Sequence, residues 1–187
     1  MAAAESSQIA GLIEELSGAS RRRRQEVAHQ IALTARANAG IVIPYVDALV
    51  DALYRPEAQT RWEALDALSA IAIEHPEKVV DAFDGAEASL FDDGSATVRL
   101  AAFILLSRLA ASSPERSNMA WPLLDEAIQC YHGDAEYRDM LVALLELARG
   151  ASSDETKKAL AARVSFDAEN GAGYVKALSG EILQALS

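Results

Sequence analysis

Four arginines head four similar apolar patterns, and this recurrence limits the possible folds more than any other feature of the chain. The clearest copy is residues 92–110, DDGSATVRLAAFILLSRLA. Counting from Arg99, apolar side chains fall at Ala102, Phe103, Leu106, Leu109 and Ala110. Those offsets trace one face of an α-helix. Arg61 is followed in the same way by Ala64, Leu65, Leu68, Ile71 and Ala72. Arg24 is followed by Val27, Ala28, Ile31, Thr34 and Ala35, and Arg138 by Leu141, Val142, Leu145 and Ala148. Successive arginines stand 37, 38 and 39 residues apart. Four positions before each lies Ser20, Glu57, Ser95 or Asp134. Three of these are N-cap types, whose side-chain oxygen accepts an orphan backbone N–H. Ala19, Pro56, Gly94 and Gly133 precede them and are mostly turn formers. A repeat of this period predicts stacked helical units, because one unit alone cannot bury its apolar face.

A second set of helices is expected between these, at residues 41–54, 78–91 and 119–131, each with apolar side chains at three-to-four spacing. Each unit therefore reads as helix, turn, helix. β-branched runs bounded by turn residues are scarce, which argues against a sheet. Ser6 or Ser7 is expected to cap a short first helix with Ile9, Leu12, Ile13 and Leu16 on one side. Gly40 reads as a left-handed C-cap after the helix at 25–37. Residues 154–166 and 174–186 read as two further helices around a loop at 167–173, without the arginine pattern.

On these residues the chain resembles the HEAT/armadillo-like repeat family. The carriers are the arginine-led second helices, TRWEALDALSAIA, TVRLAAFILLSRLA and YRDMLVALLELA, together with Pro44 and Pro122 near the expected starts of two first helices. The resemblance covers residues 18–150. It implies an all-α, right-handed α–α superhelix, a HEAT-like solenoid of about ten helices. Residues 1–187 would form one domain: a cap helix at 1–17, four units at 18–150 and a divergent capping pair at 151–187. The resemblance also implies that an aspartate before a second helix pairs with the arginine of a neighbouring unit. Asp93 fits that slot, while Gly18, Arg55 and His132 hold it elsewhere.

The chemistry of a catalytic site is missing. A GxSxG elbow, a Walker loop, a GxGxxG turn, a HExxH helix, a CxxC pair and an EF-hand loop are all absent from the sequence. Cys130 has no second cysteine with which to form an internal disulfide, and it is expected to be a packed thiol. It stands two residues from His132, a spacing at which helical side chains do not face each other. His132 is expected in an exposed loop, His75 at a helix terminus and His29 on the surface. Neither a cofactor nor a metal is expected, and the chain is not expected to be an enzyme. The net charge of −11 disfavours nucleic acid and anionic membranes, which need a cationic partner. No apolar run is long enough for a bilayer span and no leader pattern opens the chain, so the cytoplasm is the default location. Arg21, Arg22 and Arg23 read first as a solvated face screened by Glu14, Glu15 and Glu26. A docking site for an acidic partner or a nuclear-targeting signal would use the same residues.

The functional lead is the inner wall. The resemblance implies that second helices line the concave side. Positions opposite the core stripe fall at about +2, +5, +6 and +9 from each arginine. These are Glu63, Asp66, Ala67 and Ala70, then Ala101, Ile104, Leu105 and Arg108, then Met140, Ala143, Leu144 and Leu147. The wall thus changes from acidic to apolar. It could be closed over by the terminal helices, belong to the core between units, or form a groove or homodimer face. On the groove reading the partner-binding residues are Trp62, Glu63, Asp66, Ile104, Leu105, Arg108, Met140, Leu144 and Leu147. The partner would be another protein or a peptide segment, basic with apolar anchors, or a second copy of the chain. Trp121 is expected to be packed and Trp62 to sit at the edge of the core. Trp62 and Asp66 are superficially similar to the aromatic and acidic residues of some HEAT-like DNA-repair glycosylases, whose basic surface this acidic chain lacks. The sequence therefore points to a non-catalytic interaction scaffold. The alternative is a HEAT-like nucleic-acid-processing protein or a regulatory subunit of an enzyme.

Overall fold

The computed structural model describes the backbone of residues 2–187 and the side chains of residues 7–187. Among these residues there is no strand, and the chain is helical almost throughout. It divides into two compact units, one ending at Leu105 and the other beginning at Leu106.

The first unit contains α1 (Ala2–Leu16), α2 (Arg21–Ala37), α3 (Ala39–Val42), α4 (Val46–Ala52), α5 (Ala58–Glu74) and α6 (Phe83–Leu90). It also holds the first part of α7 (Ala96–Ser112). Two of the expected caps form. Ser20 Oγ accepts the Arg23 backbone N–H at 3.3 Å, and Ser95 Oγ accepts that of Val98 at 3.3 Å. Pro44 falls in a short 3-10 turn between α3 and α4, so the expected first helix at 41–54 is bent where the proline removes a backbone donor. The next first helix is interrupted more: 3-10 turns at Pro76–Lys78 and Val80–Ala82 precede α6. The arginine-led pattern of α2 buries Val27, Ala28, Ile31 and Ala35, and that of α5 buries Ala64, Leu65, Leu68, Ile71 and Ala72. α2 packs along α5, and α1 closes the far side of α2 with Ile9, Leu12 and Leu16. Three local expectations fail. α1 begins at Ala2, before Ser6 and Ser7, so neither serine caps it. Gly40 lies inside α3, and the chain leaves α2 through Asn38 in an extended conformation (φ −159°). Thr34 turns its hydroxyl back to the Gln30 carbonyl at 2.9 Å and is only half-buried.

The second unit contains the rest of α7, α8 (Pro114–Cys130), α9 (Tyr137–Arg149), α10 (Asp154–Asn170) and α11 (Gly173–Leu186). Ser113 and Ser153 cap α8 and α10 through the N–H groups of Arg116 and Thr156. α8 starts five residues before the expected helix and runs through Pro122. α10 packs on α8, and α11 packs on both α10 and α9. α10 continues to Asn170, so the expected loop at 167–173 shrinks to a tight link with Gly173 at φ +56°. A side chain is disfavoured at that backbone angle. Cys130 is exposed rather than packed, because it is the last residue of α8 and lies beyond the α8 core stripe of Leu124, Ala127 and Ile128.

Candidate functional site

The arginine ladder is assembled from charges the sequence places correctly and partners it places wrongly. Arg24 is buried, donates through Nη1 to the Gly18 carbonyl at 2.7 Å and pairs through Nη2 with Glu57, itself buried ahead of α5. That hydrogen bond holds the Glu57 carboxyl below its ordinary range despite the burial. Glu57 therefore serves as the acid of the ladder and makes no side-chain cap to α5. Arg61 donates to Asp92 Oδ2 at 2.6 Å. The acid in this rung is Asp92, not the expected Asp93, which is exposed. Asp92 Oδ1 also accepts the Gly94 N–H at 3.0 Å, so one carboxylate both receives the arginine and shapes the turn into α7.

In the second unit the register shifts by one residue. Asp134 caps nothing, and α9 starts at Tyr137 after Glu136. Gly133, at φ +86°, turns the chain here. Arg138 is 65 % exposed, with only a loose pairing to Asp139 at 3.8 Å. Tyr137 takes the buried slot instead, at 3 % exposure. Its hydroxyl donates to Asp167 Oδ2 at 3.4 Å, and His132 Nε2 lies 2.9 Å from the same oxygen. Burial and the neighbouring carboxylate both push the phenol pKa well up, burial most. Counted from Tyr137 the stripe becomes Met140, Leu141, Leu144, Leu147 and Ala148, all buried. Val142, assigned inward when counting from Arg138, is the exposed one.

This shift decides where the expected wall residues lie. Met140, Leu144 and Leu147 are core, buried on the helix that α11 covers. Leu105 is buried as well. Glu63 is buried, with Oε1 2.9 Å from His29 Nδ1 on α2. Arg108 is half-buried and donates to Glu146 at 3.4 Å. The position six residues past the ladder slot, Ala67, Leu105 or Ala143, is thus spent on stacking. Those one, five and nine residues past it retain exposure: Trp62, Asp66 and Ala70 on α5, and Leu100 and Ile104 on α7.

Three of the nine expected residues come together. Trp62, Asp66 and Ile104 line an open groove of about 200 Å³ between α5 and the first part of α7. Its other walls are Ala101, expected on the inner wall but not among the partner-binding residues, and Arg36, Ser69, Thr97 and Leu100, which the sequence reading missed. Arg36 crosses from the last turn of α2, and its Nε donates to Asp66 Oδ2 at 2.6 Å. The signal for Arg36 was its place twelve residues after Arg24, on the same face as His29 and Leu33. Leu33 and Ile73 on α2 and α5 are also exposed. The basic run at α2 is internally screened, with Arg22 on Glu26 and Arg23 on Glu15 and Glu26. Among the described residues no His, Cys, Asp and Glu cluster could hold a metal ion, and no helix is long and apolar enough to cross a membrane.

No protein-family profile matches the sequence, and no curated protein matches it. Solved structures do. A designed armadillo repeat protein in complex with the peptide (KR)4 superposes with a TM-score of 0.76 at 20 % identity, over 94 % of this chain and 80 % of that one. A computationally designed armadillo repeat protein for modular peptide recognition gives 0.70 at 20 % identity, over 94 % and 81 %. An engineered protein gives 0.70 at 21 % identity, over 96 % and 98 %. At such identities the likeness speaks of architecture alone: the chain has an all-α, armadillo-like helical repeat fold, with ten helices among the described residues when the bent α3–α4 segment is counted once.

Proposed function

We propose that this chain is a non-catalytic repeat scaffold that binds an extended segment of another protein, with an apolar side chain of that segment seated in the α5–α7 groove. The observation that carries this reading is the groove itself, which leaves Trp62, Leu100, Ala101 and Ile104 partly exposed between two long helices. Seating a guest side chain there removes apolar surface from water, at roughly 25 cal/mol per Å². The rim carboxylate of Asp66 suits a basic residue next to the apolar anchor. The net charge of −11 favours the same kind of partner, and the (KR)4 peptide held by a designed protein of like fold supports it.

The test uses Trp62 as the reporter in a Trp121→Phe background. The probe is a short capped peptide carrying one leucine flanked by arginines. A saturable fluorescence change is expected, lost in Ile104→Asp while the far-UV circular dichroism stays helical. Absence of saturation up to about 1 mM peptide, equivalent to binding weaker than roughly 4 kcal/mol, overturns the reading. Retention on heparin at moderate salt would instead favour the nucleic-acid-processing alternative.

A further inference from the structure

We infer that Arg36 is a built-in competitor for the groove's carboxylate, occupying Asp66 until a cationic guest side chain displaces it. This rests on the groove being the binding site. Arg36 reaches Asp66 through Nε at 2.6 Å, with Nη2 on the same oxygen, and both residues line the groove. Asp66 is the only carboxylate among the described residues that line it. The Arg24–Glu57 pair offers the contrast. There the two side chains are 10 % and 3 % exposed, and separating them strands a charge away from water. Arg36 and Asp66 are 52 % and 34 % exposed, so both can be rehydrated on separation. Arg36 also lies in the last turn of α2, where a cation is favoured by the helix dipole whether or not it holds a partner.

A guest guanidinium or ammonium arriving beside an apolar anchor therefore meets an occupied acceptor. It exchanges with Arg36, whose long side chain swings into solvent. The exchange leaves the charge of the groove one unit more positive than an empty Asp66 would allow. The preference for a cationic guest is accordingly damped in the unsubstituted chain.

Two capped peptides separate the possibilities: leucine flanked by arginines and leucine flanked by glutamines, both titrated against Trp62 fluorescence. Arg36→Gln should tighten the arginine peptide about two- to fivefold, the range that an exposed pair can impose. It should leave the glutamine peptide unchanged. Asp66→Asn should remove the preference for the arginine peptide, and Arg36→Gln should add nothing in that background. If Arg36→Gln weakens the arginine peptide, or tightens both peptides equally, the competitor role is wrong. Binding without the Arg36 effect sinks only this inference, whereas failure of both peptides to bind unsubstituted and Arg36→Gln chains sinks the groove reading with it.

Discussion

α5 and α9 are built on one pattern and spend it differently. α5 buries Thr60, Glu63 and Ser69 among its apolar residues and meets α2 partly through polar side chains, His29 on Glu63 and Arg36 on Asp66. α9 buries Met140, Leu141, Leu144, Leu145 and Leu147, and it packs against α11, which buries Ser179 and Ile182. A hydrogen bond between side chains contributes little net stability but fails badly when misaligned, so it fixes which surfaces meet. Apolar burial stabilises more and specifies less. The α2–α5 stack is therefore the selective junction, and α9 with α11 is the adhesive one. The same contrast leaves the α5 flank open at Trp62 and Asp66 while α9 is sealed along Met140, Leu144 and Leu147.

The strongest way to break this contrast is to charge the sealed helix. Leu144→Asp places a carboxylate at a fully buried position without a partner. A loss of more than about 4 kcal/mol is expected, read as loss of the cooperative thermal transition of the second unit. Retention of native helicity and melting in Leu144→Asp would mean that the α9 face is accessible after all. The contrast with Ile104→Asp, expected to stay folded, separates core from groove.

The next effect lies in the first unit. Glu57→Ala leaves the buried Arg24 without its carboxylate, at a cost of about 3–5 kcal/mol in denaturant unfolding. The pair also makes a pH prediction. The folded Glu57 carboxyl is held below its ordinary value of 4.5, so the unfolded chain takes up the proton first as acid is added. The stabilisation is complete above the ordinary value and is lost as pH falls through the depressed one. Glu57→Ala should therefore flatten the acid limb of the stability curve. An unchanged limb would assign acid sensitivity to other carboxylates.

Much of this was legible from periodicity. Apolar residues at helical spacing follow burial closely in α2, α5 and α7, because in each of those helices the buried stripe counts from its arginine. The reading went astray where two adjacent residues could both fill that slot. In YRDMLVALLELA, either Tyr137 or Arg138 begins a plausible stripe, and leucines at 141, 144, 145 and 147 satisfy both registers. Only the packing of Tyr137 against His132 and Asp167, from the ends of α8 and α10, chooses between them. The contact with Asp167 spans thirty residues and leaves no local trace. The groove suffered from the same error: Trp62, Asp66 and Ile104 lie on the face the register does permit, while Met140 and Leu144 belong to its neighbour. Arg36 escaped notice because its partner is on another helix.

The smallest expected effects test the register directly. Tyr137→Phe removes a long hydrogen bond to Asp167 and leaves the ring packed, so about 0.5–1 kcal/mol should be lost. Arg138→Ala touches an exposed side chain whose acidic neighbour lies 3.8 Å away, and the loss should stay within about 0.5 kcal/mol. Tyr137→Ala, which empties the slot, should cost several times more than either, roughly 3–5 kcal/mol for a buried aromatic. Measured together by urea unfolding, the three give an order: Tyr137→Ala, then Tyr137→Phe, then Arg138→Ala. Were Arg138 the true counterpart of Arg24 and Arg61, its removal would rank with that of Glu57 and the order would invert. A slot held by tyrosine needs no anion to be stable. Arg24 and Arg61 each hold a carboxylate, Glu57 and Asp92, whereas the α9 rung meets Asp167 through a phenol and shares it with a histidine.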